Sequence, residues 1–165
     1  MYDLFHMLPF AEDFMDMLCE LSDADVEFVV VGGYAVAFHG YVRATKDIDI
    51  LINPTRANAE RVYRALAAFG APLQAFDVSE GDFADYDGVL QLGVPPRRID
   101  ILNKIDGISF SEAFHDHGLF EVEGRKIPMI GLGALIRNKR ASGRLRDLAD
   151  VEALGLLDAS RQRFF

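Results

Sequence analysis

The feature that most constrains this fold is an apolar run, Phe28-Val29-Val30-Val31, that stops on Gly32-Gly33 and is followed by Asp47-Ile48-Asp49-Ile50. A short β-branched run bounded by glycine reads as a buried strand, and the alternation after Asp47 reads as a second strand. The segment Arg98-Ile99-Asp100-Ile101-Leu102 repeats that alternation. Side chains at i and i+2 of a strand share a face, roughly 6.5–7 Å apart. Asp47, Asp49 and Leu51 therefore line one face of the second strand, and Ile48, Ile50 and Ile52 line the other. Aspartate is unfavourable in strands, yet it recurs here between strongly apolar neighbours. If the two strands lie side by side, Asp47, Asp49 and Asp100 converge. Three acids aimed at one point repel each other unless a cation sits between them, so the pattern predicts a metal site.

The remaining chain supplies elements to enclose these strands. Phe10, Phe14, Met17, Leu18 and Leu21 recur at helical spacing, and Ser22 to Asp25 reads as a turn. Tyr34 to Phe38 suits a short helix. Asn53-Pro54 breaks the second strand, Thr55 caps a helix with Val62, Leu66 and Phe69 inward, and Gly70 stops it. Residues 73–87 are irregular and acidic. Val89 to Val94 and Arg98 to Leu102 read as neighbouring strands around Pro95-Pro96. Phe110 to Phe114 follows Ser109 as a short helix, and Leu119 to Val122 with Lys126 to Ile130 forms a hairpin across Glu123-Gly124. Leu132 to Ala141 and Leu145 to Leu157 close the chain as helices parted near Gly143. The fold class is α/β (α+β), a small mixed sheet packed by helices. One domain spans 1–165, with its core at about 26–130 and C-terminal helices at about 131–158.

Half of the 165 residues are apolar, enough for a real core. The formal charge is −9, from 26 acids against 17 bases. Non-specific binding to long nucleic acid depends on Lys and Arg neutralising phosphates, so that class is disfavoured. The single cysteine, Cys19, forms no internal disulfide and reads as a buried, inert thiol. No signal peptide is visible, and the longest apolar run, Phe28 to Phe38, is broken by glycines and too short to span a bilayer. A cytoplasmic protein without membrane contact is the expectation.

The chemistry predicted at the acids is that of a hard cation. Mg²⁺, with Mn²⁺ as a substitute, prefers carboxylate, water and phosphate oxygens. Two such ions about 3.5–4 Å apart stabilise the entering and leaving oxygens in phosphoryl or nucleotidyl transfer, and the third carboxylate can take a proton from the attacking hydroxyl. Gly32-Gly33 admits two readings, a close backbone approach to an anion or a turn that needs positive φ. It is neither a Walker loop nor a dinucleotide fingerprint. Arg43, Thr45 and Lys46 precede the first aspartate and stand within reach of a phosphate or in a solvated loop. A second basic group comprises Arg137, Lys139, Arg140, Arg144 and Arg146. Pairs Arg144/Asp147 at i,i+3 and Arg146/Asp150 at i,i+4 suit a solvated helix face, with Lys139 singled out for phosphate. His39, His115 and His117 lack a ligand-like spacing, and His115-Asp116-His117 reads as a surface loop.

These residues resemble the nucleotidyltransferase superfamily, the polymerase-β-like fold: an apolar strand ending in a glycine pair, then Asp47-Ile48-Asp49, then Asp100 on a later strand. Gly33 to Gly40 with Arg43-x-Thr45-x-Asp47 looks like small bacterial members similar to AbiE-type toxin and minimal nucleotidyltransferases. Lys139-Arg140-Ala141-Ser142-Gly143-Arg144-x-x-Asp147-x-x-Asp150 also resembles the C-terminal helices of that group and of aminoglycoside nucleotidyltransferases. The resemblance covers about residues 26–155 and implies a Mg²⁺-dependent enzyme that moves a nucleoside monophosphate from a nucleoside triphosphate such as ATP to a hydroxyl. It implies that Asp47 and Asp49 bind the metals holding the triphosphate. Asp100 would complete the metal site and help activate the acceptor hydroxyl. Gly32 and Gly33 would cradle phosphates, with Lys139 a phosphate partner. A single domain without a larger acceptor-binding unit is the expectation, so the expected acceptor is a small molecule, protein or RNA, gripped with the help of a partner subunit or homodimer, in a toxin–antitoxin or modification system. The alternative is a catalytically silent nucleotide- or partner-binding module of the same fold.

Overall fold

The structure, a computed structural model, describes residues 11–85, 87–93 and 97–163. Phe10, Val94 and Pro95-Pro96 lie outside the described residues. Helix α1 (Glu12–Asp23) buries Phe14, Met17, Leu18 and Leu21 and runs two residues into the segment expected to turn. Strand β1 (Phe28–Val31) is buried along its whole length. Helix α2 (Gly32–Phe38) starts on the glycine pair itself. Strand β2 (Ile48–Ile52) buries Ile48, Ile50 and Ile52 completely.

Helix α3 (Arg56–Phe69) starts where Thr55 accepts from the Asn58 N–H and stops at Gly70, whose φ of 96° satisfies the left-handed cap. Asn58 is fully buried, and its side-chain amide bonds Glu27 N at 2.7 Å, Glu27 O at 2.9 Å and Asn53 O at 2.8 Å. It thereby ties the start of β1 to the end of β2. The acidic stretch that follows contains one short helix, α4 (Asp82–Asp85).

Strands β3 (Val89–Leu92) and β4 (Ile99–Leu102) pair antiparallel, as their patterns suggest. Helix α5 (Phe110–Phe114) carries a capping box from Ser109 and Glu112. Strands β5 (Gly118–Val122) and β6 (Arg125–Met129) form the expected hairpin. Its turn places both Glu123 and Gly124 at positive φ, 48° and 78°, which matches the twist of the strands. Helices α6 (Leu132–Ser142) and α7 (Leu145–Gln162) are parted by Gly143 at φ 67°.

The strands form one sheet in the order β3-β4-β2-β1-β6-β5. β1 runs antiparallel to β2 and parallel to β6, and β2 runs parallel to β4, so the sheet is mixed. α1 packs on α3 and reaches the β5–β6 hairpin, while α2 packs on β1, β2 and α6, and α7 on α6. Among the described residues, no helix is long and apolar enough to cross a membrane.

Candidate active site

The parallel pairing of β2 with β4 sets Asp49 opposite Asp100, and adjacent strands lie about 4.8 Å apart. The flanking isoleucines 48, 50, 99 and 101 are buried and fix both backbones. Asp100 is itself buried. Burial first, then the charges of Asp100 and Asp47 and a hydrogen bond shared with Asp100, push the Asp49 carboxyl up to about 7, against the pull of Lys139. Asp49 is short of positive charge.

The glycines owe their identity to this pair and its neighbour. Gly32 has φ +68°, and a Cβ built on it would lie 2.1 Å from Asp49 Oδ2. A Cβ on Gly33 would lie 2.6 Å from Thr45 Oγ1. Gly32 meets the second reading of the glycine pair, a required positive φ, and its backbone lies directly against the Asp49 carboxylate. Gly32→Ala is expected to cost about 1–2 kcal/mol from the left-handed backbone alone and to push Asp49 out of register with Asp100. Thermal melts read the first effect and a nucleotide-transfer assay the second. A variant as stable and as active as the parent would refute this account.

Asp47 behaves differently. Its Oδ1 accepts the Arg98 backbone N–H at 3.2 Å, and its Oδ2 lies 3.4 Å from Arg98 Nη2. The same guanidinium donates Nε to Asp100 Oδ1 at 2.8 Å and Nη2 to Asp100 Oδ2 at 3.2 Å. Arg98 thus bridges Asp47 and Asp100. The sequence reading passed over it, although its position two residues before Asp100 on an alternating strand places it on the same face. Among the described residues, no three carboxylate, imidazole or thiol groups stand close enough to hold a metal as the side chains lie. The fit to a hard divalent ion rests on donor type and charge: carboxylate oxygens are what Mg²⁺ prefers, and Asp49 lacks a full counter-charge.

Arg43 and Lys139 are committed to other partners. Arg43 forks onto Asp150, Nε to Oδ1 at 2.7 Å and Nη2 to Oδ2 at 2.9 Å. Lys139 is buried, with Nζ 2.9 Å from Asp147 Oδ1 and 3.0 Å from Asp150 Oδ2. The expected Arg144/Asp147 pair forms at 2.9 Å. The expected Arg146/Asp150 pair does not: Arg146 donates to the Ala44 carbonyl at 2.9 Å, and Asp150, 1 % exposed, faces inward to Arg43 and Lys139. The reading of this segment as a solvated face is corrected at Asp147 and Asp150. Burial opposes the charge on Asp147, but hydrogen bonds from Ser142 and Lys139, the Lys139 charge and Arg144 outweigh it and bring the carboxyl to about 2. Asp150 is lowered in the same way, against its burial, by Arg43 and Lys139. α7 thus holds the loop that carries Thr45 and Asp47, through Arg43 and Ala44. Thr45 donates to the Asp47 carbonyl at 3.3 Å, and Lys46 is exposed.

The other polar candidates lie apart. His39 is bonded to the Ile130 carbonyl at 2.7 Å and is pushed down in pKa by burial. His115 is exposed beside Asp116, as the surface-loop reading expects. Cys19 is buried and donates to Glu123, with burial raising its pKa. A cavity of about 560 Å³, lined by Ile52, Phe83, Leu90 and Ile101 among others, includes none of the candidate site residues.

Likeness to known proteins bears on the family and the fold. Residues 10–160 match the family model described as "Nucleotidyl transferase of unknown function (DUF2204)". No curated protein matches the chain. Among solved structures, one similar fold is that of a Thermotoga maritima protein described as a nucleotidyltransferase, with TM-score 0.50, 15% identity and 91% of each chain covered. Another is an antigenic nucleotidyltransferase-like protein of Paracoccidioides brasiliensis, with TM-score 0.51, 15% identity, and 87% of this chain and 76% of that one covered. At that identity the likeness concerns the fold, and the mixed sheet described above is a nucleotidyltransferase-like sheet.

Proposed function

This chain belongs to the family of nucleotidyl transferases of unknown function, and on that premise we propose that it is a divalent-metal-dependent enzyme that transfers a nucleoside monophosphate from a nucleoside triphosphate to a hydroxyl. The observation that carries the reading is the in-register pair Asp49 and Asp100 on adjacent parallel strands, with Gly32 laid against Asp49. Asp49 and Asp100, with Asp47 beside them, would hold Mg²⁺. When bound, that ion supplies charge neutralisation for the triphosphate and for the developing oxyanion. The acceptor oxygen forms a bond to the α-phosphorus, the bond to the leaving pyrophosphate breaks, and the hydroxyl proton passes to Asp100. The two Arg98 bonds to Asp100 compete with that proton for its oxygens. Gly32 lets the backbone lie against Asp49 where a side chain would clash, and Gly33 does the same against Thr45; both would leave the helix start open to a phosphate. Lys139, held by Asp147 and Asp150, contributes positive potential at Asp49, where a triphosphate would bind. An acceptor supplied by a toxin–antitoxin or modification system belongs to the same proposal.

Incubation of the protein with α-labelled nucleoside triphosphates, Mg²⁺ and candidate acceptors (small molecules, protein, RNA) tests the reading. Label transfer that disappears with EDTA and in Asp100→Asn is the expected result. Transfer that survives EDTA would remove the metal from the mechanism, and equal activity in Asp100→Asn would remove the site.

A second reading, a silent module that binds nucleotide without turnover, draws support from Arg98, which neutralises two of the three carboxylates. Calorimetry separates the two. Nucleotide binding that is independent of Mg²⁺, with no label transfer, favours the silent module.

A further inference from the structure

Arg98 is a cation already in place among the carboxylates. Its guanidinium engages both oxygens of Asp100 and one of Asp47. A forked guanidinium–carboxylate contact is among the stronger polar interactions in proteins. The Arg98 side chain is 28% exposed and that of Asp100 only 10%, so solvent screens the pair weakly. The Arg98 backbone N–H adds a further bond to Asp47, which anchors the clamp through the main chain. A divalent ion would seek the same oxygens, and two cations cannot both take the full charge of one carboxylate pair.

We propose that Arg98 is an internal counter-cation that closes the carboxylate site in the absence of metal and is displaced when a divalent ion binds Asp47 and Asp100. The inference rests on the metal-dependent reading above. Its physical content is a competition: the closed population lowers apparent metal affinity by the fraction of molecules in which the clamp is open. Weakening the clamp should therefore tighten metal binding, the reverse of what loss of a ligand or of fold would do. Arg97, adjacent and exposed, makes no ion pair to these carboxylates and serves as the control for a lost positive charge.

The test is Mn²⁺ binding to the full chain without nucleotide, followed by electron paramagnetic resonance and calorimetry at pH 8. Arg98→Gln is expected to bind Mn²⁺ about tenfold more tightly than the parent, the removal of one charge-assisted pair. Arg97→Gln should stay within about twofold, since an exposed charge is screened. Arg98→Lys keeps the charge but loses the fork and should bind about threefold more tightly. Arg98→Gln binding no more tightly than the parent, or Arg97→Gln tightening equally, overturns the clamp while leaving the metal site standing. If neither the parent nor Arg98→Gln takes up Mn²⁺ at millimolar concentration, the metal-dependent reading fails and the clamp falls with it. Should Arg98→Gln not fold, Arg98→Lys decides, with unchanged or weaker binding counting against the clamp.

Discussion

Lys139→Met is expected to lower the stability of the fold by about 3–5 kcal/mol, the cost of removing one partner from a buried ion pair. Lys139 is 6% exposed and faces two carboxylates, Asp147 at 7% and Asp150 at 1%. Methionine keeps most of the volume, so the loss is one of charge rather than of packing. Arg43 still serves Asp150, and Arg144 and Ser142 still serve Asp147. The penalty therefore falls on the one oxygen that Lys139 alone satisfies, Asp147 Oδ1. The pH dependence gives the effect a sign. In the folded chain Asp147 sits at about 2 and Asp150 is lowered too, while an unfolded aspartate titrates near 3.9. Their contribution is complete above about pH 4 and is lost as pH falls through the folded values. Urea unfolding should show a large gap between parent and variant at pH 7 that narrows below pH 4. A gap under about 1 kcal/mol at pH 7, or one that does not change with pH, would show that the network contributes little.

The backbone was legible because its signals are local. The β-branched run before Gly32, the Asp-x-Asp alternation, Thr55 with Gly70, and Ser109 with Glu112 each constrain a few neighbouring residues, and each element appears with those features. The strand order was not legible. Nothing near Asp100 says that β4 pairs with β2 rather than with β1, and that pairing is what brings Asp49 and Asp100 together. The side-chain partners were less legible still. Asp150 satisfies an i,i+4 pattern with Arg146, but it finds a better partner 107 residues away in Arg43. A buried carboxylate takes the forked contact that the fold brings to it, and the helical neighbour turns to a backbone carbonyl. Arg98 was missed for a related reason. The acids carry the recognisable alternation, whereas the base on the same strand face that pairs with two of them has no motif of its own.

Asp49→Asn should move stability and activity in opposite directions. The Asp49 carboxyl stands at about 7 in the folded chain and near 3.9 when unfolded. Between those values the folded state holds a proton that the unfolded state has lost, so stability falls as pH rises from about 4 to 7 and levels off above. At about 1.36 kcal/mol per pH unit, the loss is on the order of a few kcal/mol at pH 8. Asparagine keeps the shape and hydrogen-bonding capacity without the charge and removes that decline. In EDTA at pH 8 the variant should therefore melt higher than the parent, and at pH 4 the two should coincide. A divalent ion should raise the melting temperature of the parent alone, because binding to the folded state stabilises it. Nucleotide transfer should fall by about 10³-fold, or about 4 kcal/mol of transition-state stabilisation. A variant less stable than the parent at pH 8 would mean that Asp49 is satisfied by its surroundings and has no need of a cation. Transfer within about tenfold of the parent would place the chemistry elsewhere. The two outcomes together separate a carboxylate kept under strain for catalysis from one that merely ends a strand, because only the first is stabilised by losing its charge.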